Sequence, residues 1–224
     1  IGIKPVYYAT DPAGLYVSSE IKGLTPFLGA PPAVSLDGLF EFLNCGFVFE
    51  PESGLEGIRK IPAGCYLRFD RGELSVHRYF SLDEATRLPG AAEAELMPAV
   101  QRQLIADVKL GVFFSGGLDS SIIAAGAKRE ALFAAYDAAE IQSGGLVDDA
   151  PYAEQIAKIL DIDLTKVAIS DSLDPDYILE TMRTVAAGSE ELISDYTYYA
   201  SLQLSQAGRG HGVKVMLGGT GGDG

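Results

Sequence analysis

Cysteine and histidine are scarce in this chain, with two of each in 224 residues. Cys45 and Cys65 are too few for a disulfide framework or a four-ligand zinc site, and a reduced, cytosolic setting is the simple reading. Neither cysteine is N-terminal and neither has a base beside it in sequence, so no thiol nucleophile is expected here. His77 and His211 each stand alone, and structural or surface roles are expected of all four residues. Positive charge is in deficit as well: Lys plus Arg number 17 against 31 Asp plus Glu, a net charge of −14. Nucleic acid and anionic membranes both require a basic face, so neither is expected as a partner. No apolar run approaches the roughly 18 residues that span a bilayer. Residues Ile1 to Tyr8 lack the charged segment and apolar core of a secretory leader. An initiator Met is missing too, and the chain stops at Gly221-Gly222-Asp223-Gly224 inside a loop-like run. Both ends are therefore expected to be cuts from something longer.

What is present is apolar residue enough, 47% of the chain, for one full domain or one and a half. Two hairpins are expected first. Pro5 to Ala9 and Leu15 to Val17 are β-rich and flank a turn at Asp11-Pro12-Ala13-Gly14. A linker follows over residues 25–35. Ser35 and Asp37 can cap a short helix through Leu39, Phe40, Phe42 and Leu43. The second hairpin carries Tyr66-Leu67-Arg68-Phe69, a turn at Asp70-Arg71-Gly72, and Leu74 to Tyr79. Beyond an acidic segment near 83–107 the pattern alternates between strand and helix. Strands are expected at Leu110–Phe114, Leu132–Tyr136, Leu164–Ile169 and Val213–Leu217. Helices are expected from Leu118 to about Ala131, then over Ala150–Leu160, Asp174–Ala187 and Asp195–Gln206. In the second of these Tyr152, Ile156, Ile159 and Leu160 form one stripe. Continuous apolar strands separated by helices imply an α/β fold, a parallel sheet with helices on both faces.

The segment richest in chemistry is Ser115-Gly116-Gly117-Leu118-Asp119-Ser120, between a buried strand and a helix start. Gly116 and Gly117 can take positive φ and admit an anion close to the backbone. The helix that follows presents free N–H groups and a positive dipole end, which together make a cradle for phosphate. Ser115 and Ser120 add hydroxyl donors. Asp119 would repel phosphate unless a divalent cation stood between them, so a magnesium–nucleotide site is implied. The string fits neither the Walker A pattern nor the Rossmann fingerprint.

That string resembles the pyrophosphate-binding loop of the N-type ATP pyrophosphatases. Its flanks narrow the likeness. Gly2-Ile3-Lys4-Pro5 with Tyr7-Tyr8, and Ser19-Glu20-Ile21-Lys22-Gly23-Leu24, look like the end of the N-terminal-nucleophile glutaminase domain of the glutamine-hydrolysing asparagine synthetases. Gly57-Ile58-Arg59-Lys60-Ile61-Pro62-Ala63-Gly64 resembles the stretch that joins it to the synthetase domain. The resemblance implies three regions: residues 1–24 as the end of an Ntn-hydrolase glutaminase domain, 25–82 as a linker with a short helix and hairpin, and 83–224 as the N-terminal part of an ATP-pyrophosphatase domain of HUP type, Rossmann-like. It further implies ATP and Mg²⁺ as cofactors, with aspartate or another carboxylate and glutamine-derived ammonia as small-molecule substrates. Asparagine biosynthesis in the cytoplasm and a homodimer of the full-length protein are compatible with it.

Carried over by position, Ser115, Gly116, Gly117, Asp119 and Ser120 would hold the pyrophosphate, and Phe114 and Ala135 would touch adenosine. Val215 to Gly224 aligns with the family's second nucleotide loop. Gly218 and Gly219 would then lie against the nucleotide, and Asp223 would share Mg²⁺ with Asp119. The catalytic set read this way is Asp119, Asp223 and Thr220. Three positions depart from the family: its Ser is Gly218, its acid is Thr220 and its last Glu is Gly224. The β-lactam synthetases also lack an acid at that place, and lasso-peptide cyclases are another group with altered substrates. Asp148-Asp149 and Glu190-Glu191 read as solvated charges at helix starts, although Glu191 falls where the family places an acid near the active site. Tyr196, Tyr198 and Tyr199 read as helix-packing residues. The leading expectation is an AMP-forming, amide-forming ligase, the fragment alone being inactive. Its rivals are another N-type pyrophosphatase and a non-catalytic nucleotide-binding remnant.

Overall fold

The computed structural model describes residues 2–81, 92–127, 130–135, 150–168, 174–192, 194 and 197–219. The chain divides into two compact units. Unit 1 comprises Ile1–Leu88 with Arg183–Asp195, and unit 2 comprises Pro89–Met182 with Tyr196–Gly224.

Unit 1 is built on the first expected hairpin. Strands β1 (Tyr7–Asp11) and β2 (Gly14–Ser18) pair antiparallel, and the Asp11 carboxylate accepts the Ala13 and Gly14 N–H groups to close the turn. A short strand β3 (Arg59–Lys60) pairs with the other edge of β1, Tyr7 opposite Lys60. Helix α1 (Leu36–Cys45) starts where Ser35 accepts the Gly38 N–H and stops at Gly46, whose φ of 82° is the left-handed cap expected of glycine. Gly38 cannot be larger: a Cβ there would lie 2.7 Å from the Gly54 Cα. Tyr7, Ala9, Ile21, Leu24 and Ile58 form the core. Strands β4 (Cys65–Asp70) and β5 (Glu73–Arg78) make the second hairpin. Its turn residues Arg71 and Gly72 both have positive φ, 51° and 87°, as two-residue hairpin turns require.

Unit 2 holds a four-stranded, all-parallel sheet in the order β8-β7-β6-β9. Its strands are β6 (Leu110–Phe113), β7 (Glu130–Ala135), β8 (Leu164–Ala168) and β9 (Val215–Leu217). The helices are α2 (Ala92–Gln103), α3 (Leu118–Ala127), α4 (Ala150–Leu160), α5 (Pro175–Gly188) and α6 (Thr197–Gly210), with α5 from Arg183 onward falling in unit 1. The chain steps one way from β6 through β7 to β8, then returns to lay β9 on the far side of β6. With right-handed crossovers, α3 and α4 take one face of the sheet and α6 the other. The contacts agree, since α3 packs on α4 while α6 lies against β7 and β8. Val112, Phe114, Ala124, Ala127, Ala153 and Ala157 form the core.

Several expectations are corrected. Helix α2, inside the acidic segment, is an element absent from the expected set, and it carries Pro98 within it. It forms by docking on α3, where Gly126 leaves room: a Cβ there would lie 2.7 Å from Val100 Cγ1. In α4 the buried face is Ala153 and Ala157, flanked by Ile156 and Leu160, while Tyr152 and Ile159 are 62% and 68% exposed. Small residues face inward because the Gly116 loop approaches the helix backbone. Among the described residues, no helix is long and apolar enough to cross a membrane.

Candidate nucleotide site

The loop 114–120 leaves the carboxyl end of β6 and enters α3 at once. Phe114 is 3% exposed and its side chain belongs to the core, so only its backbone is left to face a ligand. Gly116 has φ of 79°, and a Cβ there would lie 2.8 Å from the Ala153 N and Cα. Only glycine fits, both for the backbone conformation and for the close approach of α4. The serines brace the loop. Ser120, 8% exposed, donates its hydroxyl to the Gly117 carbonyl at 3.1 Å and accepts the Ser115 N–H at 3.3 Å. With that proton committed, the Ser115 hydroxyl is the donor in the 3.2 Å pair with Ser120, and it accepts the Gly117 N–H at 3.3 Å. Ser120 is therefore spent on loop shape, while Ser115 and Gly117 are exposed at the rim. Ser121 Oγ is buried with no hydrogen-bond partner among the described residues.

The second loop arrives from β9. Gly218 is exposed and Gly219 half-buried. A Cβ on Gly219 would lie 2.7 Å from Asp119 Cβ, 3.2 Å from the Asp119 carbonyl carbon and 3.3 Å from the Ser120 N. The two glycine-bearing loops thus meet at the first turn of α3, between the adjacent parallel strands β6 and β9, where the strand order reverses. Such a switch point, at the carboxyl ends of the strands, is where open α/β sheets bind ligands. Ala135 ends β7 in register with Ala168, one strand over from β6. Thr220, Asp223 and Gly224 lie outside the described residues, as do Asp148, Asp149 and Tyr196. Among the described residues no group of three or more His, Cys, Asp or Glu is placed to hold a metal. Asp119, half-buried in the cradle, is the carboxylate the described loops present.

Glu190 and Glu191 are not the solvated helix-start charges expected. Glu190, its side chain 16% exposed, accepts the Ile21 and Lys22 N–H groups and pairs with Lys22 Nζ at 2.9 Å. That pairing holds the Lys22 ammonium above its ordinary pKa. Glu191 accepts the Tyr7 hydroxyl at 3.1 Å and lies 3.6 Å from Lys60 Nζ. Burial, then the Glu191 charge and hydrogen bond, push the Tyr7 phenol well above its usual range. The family resemblance put Glu191 near the active site; the partners of its carboxylate in the structure are Tyr7 and Lys60 of unit 1. Nothing in the local sequence near 190 signals those contacts, because Tyr7, Ile21, Lys22 and Lys60 are all more than 100 residues away. Tyr199 packs edge-on against Tyr177 with ring centroids 6.3 Å apart, as a helix-packing residue should. Cys45 is exposed and Cys65 partly buried, both free.

A parallel α/β sheet with two glycine-bearing loops meeting at its switch point is an arrangement at which open α/β proteins bind ligands. Comparison with known proteins narrows it. The family described as asparagine synthase matches residues 91–224, and the glutamine amidotransferase domain matches residues 1–80. This chain belongs to the asparagine synthase family. It is 30% identical over 132 residues to glutamine-hydrolyzing asparagine synthetase 3 of Bacillus subtilis, covering 56% of this chain and 22% of that protein. A putative glutamine-hydrolyzing asparagine synthetase 2 of Methanocaldococcus jannaschii is 24% identical over 233 residues, covering 100% of this chain and 44% of that protein. Amidase chry2 of Gibberella zeae is 25% identical over 247 residues, 99% of this chain and 36% of that protein. The matched stretch is less than half the length of each of these relatives.

Proposed function

We propose that this chain carries the ATP-binding part of an amide-forming ligase, a HUP-type ATP pyrophosphatase preceded by part of an Ntn-type glutaminase. Residues 83–224 would be the N-terminal part of the synthetase domain. The observation that carries the reading is the abutment of Gly219 on Asp119, which brings the two loops expected to grip ATP to one place. ATP would lie over the carboxyl ends of β6 and β9. Its phosphates would face the N–H groups of the loop and of α3, with Ser115 at the rim and adenosine toward Phe114 and Ala135.

A divalent cation fits the described donor set: Mg²⁺ takes one or two carboxylates together with phosphate oxygens, and Asp119 offers one carboxylate beside the cradle. Asp119 and Asp223 would hold it, and when bound it supplies positive charge against the phosphates. In the reaction a substrate carboxylate oxygen attacks the α-phosphorus, and the bond to the bridging α–β oxygen breaks. Pyrophosphate then leaves with the electron pair. The N–H groups that the loop does not spend on its own serines, with those of the first turn of α3, would face the charge that grows on that leaving group. Ammonia released from glutamine, or another amine, attacks the acyl carbon, and AMP departs with the bonding pair as the amine loses a proton.

Asparagine synthesis from aspartate is the reading most of the resemblance favours. A second reading, a related amidotransferase or a β-lactam or macrolactam synthetase acting on another carboxylate, is favoured by Thr220 at the family's acidic position. The relative named an amidase, with an identity similar to that of the archaeal synthetase over nearly the whole chain, is compatible with it. ATP–pyrophosphate exchange in the full-length protein separates them, with aspartate, then other carboxylates, and Asp119→Ala as comparison. Aspartate-dependent exchange lost in the variant supports asparagine synthesis. Exchange with another acid alone supports the second reading, ATP binding without exchange a non-catalytic remnant. Failure to bind ATP refutes the proposal.

A further inference from the structure

Residues 183–195 fall inside the stretch matched by the asparagine synthase family, yet they belong to unit 1, together with the stretch matched by the amidotransferase domain. What fastens them there is specific. The single 3-10 turn Ile21–Gly23 has no side-chain cap from its own N-cap residue, Glu20. Its N–H groups at Ile21 and Lys22 are instead accepted by Glu190 Oε2, a residue 169 positions further on. Lys60, only 5% exposed, donates to the Val48 carbonyl at 3.0 Å, and its carboxylate partner is Glu191 at 3.6 Å. Tyr7, fully buried, finds its acceptor in the same Glu191. The Ser194 N–H then closes on the Gly46 carbonyl, at the end of α1, at 2.7 Å. Leu192 adds packing, since a Cβ on Gly54 would lie 3.1 Å from its Cδ1.

The amidotransferase-type stretch therefore carries an uncapped turn, a buried ammonium and a buried phenol, and consecutive glutamates of the synthase-type stretch serve all three. Solvent could not serve the buried groups, because burying an ammonium or a hydroxyl without a partner costs free energy that folding cannot spare. Specificity resides in the acceptor geometry rather than in bulk burial: Glu190 takes successive backbone donors, and Glu191 takes a phenol and an ammonium through different oxygens. The same carboxylates lie just after α5 in the chain.

We propose that Glu190 and Glu191 are positioning residues. They moor the segment between α5 and α6 on the amidotransferase-type module, so that nitrogen released from glutamine is used by the ATP-dependent step. The coupling half of this statement rests on the function proposed above; the mooring does not. The test uses the full-length protein as wild type, Glu190→Ala and Glu190→Gln, the last retaining a carbonyl acceptor for the Ile21 N–H. AMP formation is measured with glutamine and with ammonium as nitrogen source, together with glutamate released. In Glu190→Ala, ammonium-driven AMP formation stays within about twofold of wild type while the glutamine-driven rate falls about tenfold, as loss of a charge-assisted bond allows. Glutamate released per AMP rises, and Glu190→Gln recovers most of the loss. Equal loss with both nitrogen sources, or no loss with either, overturns the coupling. If wild-type protein forms no AMP with either source, the proposed function has failed, and amide hydrogen exchange alone decides the mooring. The Ile21, Lys22 and Ser194 amides then exchange about tenfold faster in Glu190→Ala, and unchanged exchange there overturns it.

Discussion

Replacing Gly219 by alanine tests the meeting of the two loops directly. The added Cβ would stand 2.7 Å from Asp119 Cβ, 3.2 Å from the Asp119 carbonyl carbon and 3.3 Å from the Ser120 N. Carbon pairs rest at about 3.5–4.0 Å, so the loops must part by roughly 1 Å. None of these neighbours is the free end of a flexible side chain, so no rotamer change relieves the contact. Overpacking of this kind costs about 1–3 kcal/mol, a fall of roughly 2–12 °C in Tm at about 2–4 °C per kcal/mol for a chain this size. A 1 Å displacement of groups that grip a reacting phosphate costs about 10²-fold in rate, so ATP–pyrophosphate exchange should fall by that much. Gly210→Ala is the control: nothing lies within 4 Å of its Cβ position, at the last residue of α6, and Tm should hold or rise slightly. Calorimetry and exchange rates on both variants provide the comparison. A Gly219→Ala protein with wild-type Tm and exchange rate would refute the placement of the second loop against α3.

Other perturbations follow from the same packing. Gly116→Ala combines a φ of 79° with a Cβ 2.8 Å from the Ala153 backbone, so urea unfolding should show a loss of about 2 kcal/mol or more. Gly126→Leu should detach α2 from α3, because even a Cβ meets Val100 Cγ1 at 2.7 Å; protease cleavage within 92–103 should accelerate while the α1 region stays protected. The folded state holds the Tyr7 phenol above its unfolded value of 10.0, so its contribution to stability is complete below pH 10 and declines as pH rises further. Urea midpoints measured from pH 9 to about 11.5 should therefore fall less steeply in Tyr7→Phe than in wild type, by up to about 1.4 kcal/mol per pH unit. Equal slopes would remove Tyr7 from the linkage.

Much of the fold is local in origin, and that part was readable in the chain. The Ser35 cap, the Asp11 and Arg71-Gly72 turns, and the apolar strands of the parallel sheet each depend on residues a few positions apart. The string Ser115 to Ser120 likewise announces a tight strand-to-helix turn, because a strand, a glycine pair and a helix start are adjacent in sequence. Other features arise from pairings across long stretches of chain. Strand β3 exists because Tyr7 and Tyr8 of β1 offer an edge, not because Arg59 and Lys60 favour extended backbone. Helix α2 tolerates Pro98 because α3 offers a groove at Gly126. The inward face of α4 is small because Gly116 presses on it from another loop.

The site divides in the same way. The residues of the first loop named Asp119, and the family resemblance named Gly219, but their contact depends on β9 returning to the far side of β6, a choice of sheet order made by tertiary packing. Ser120 shows how a residue type leaves its use open: its hydroxyl could face a ligand or the loop, and the fold spends it on the Gly117 carbonyl. Glu190 and Glu191 mark the limit most clearly. As a sequence they are consecutive acids after a helix, indistinguishable from solvated charges. Only the folded chain brings to them an uncapped turn, a buried ammonium and a buried phenol, groups whose desolvation demands a carboxylate from elsewhere.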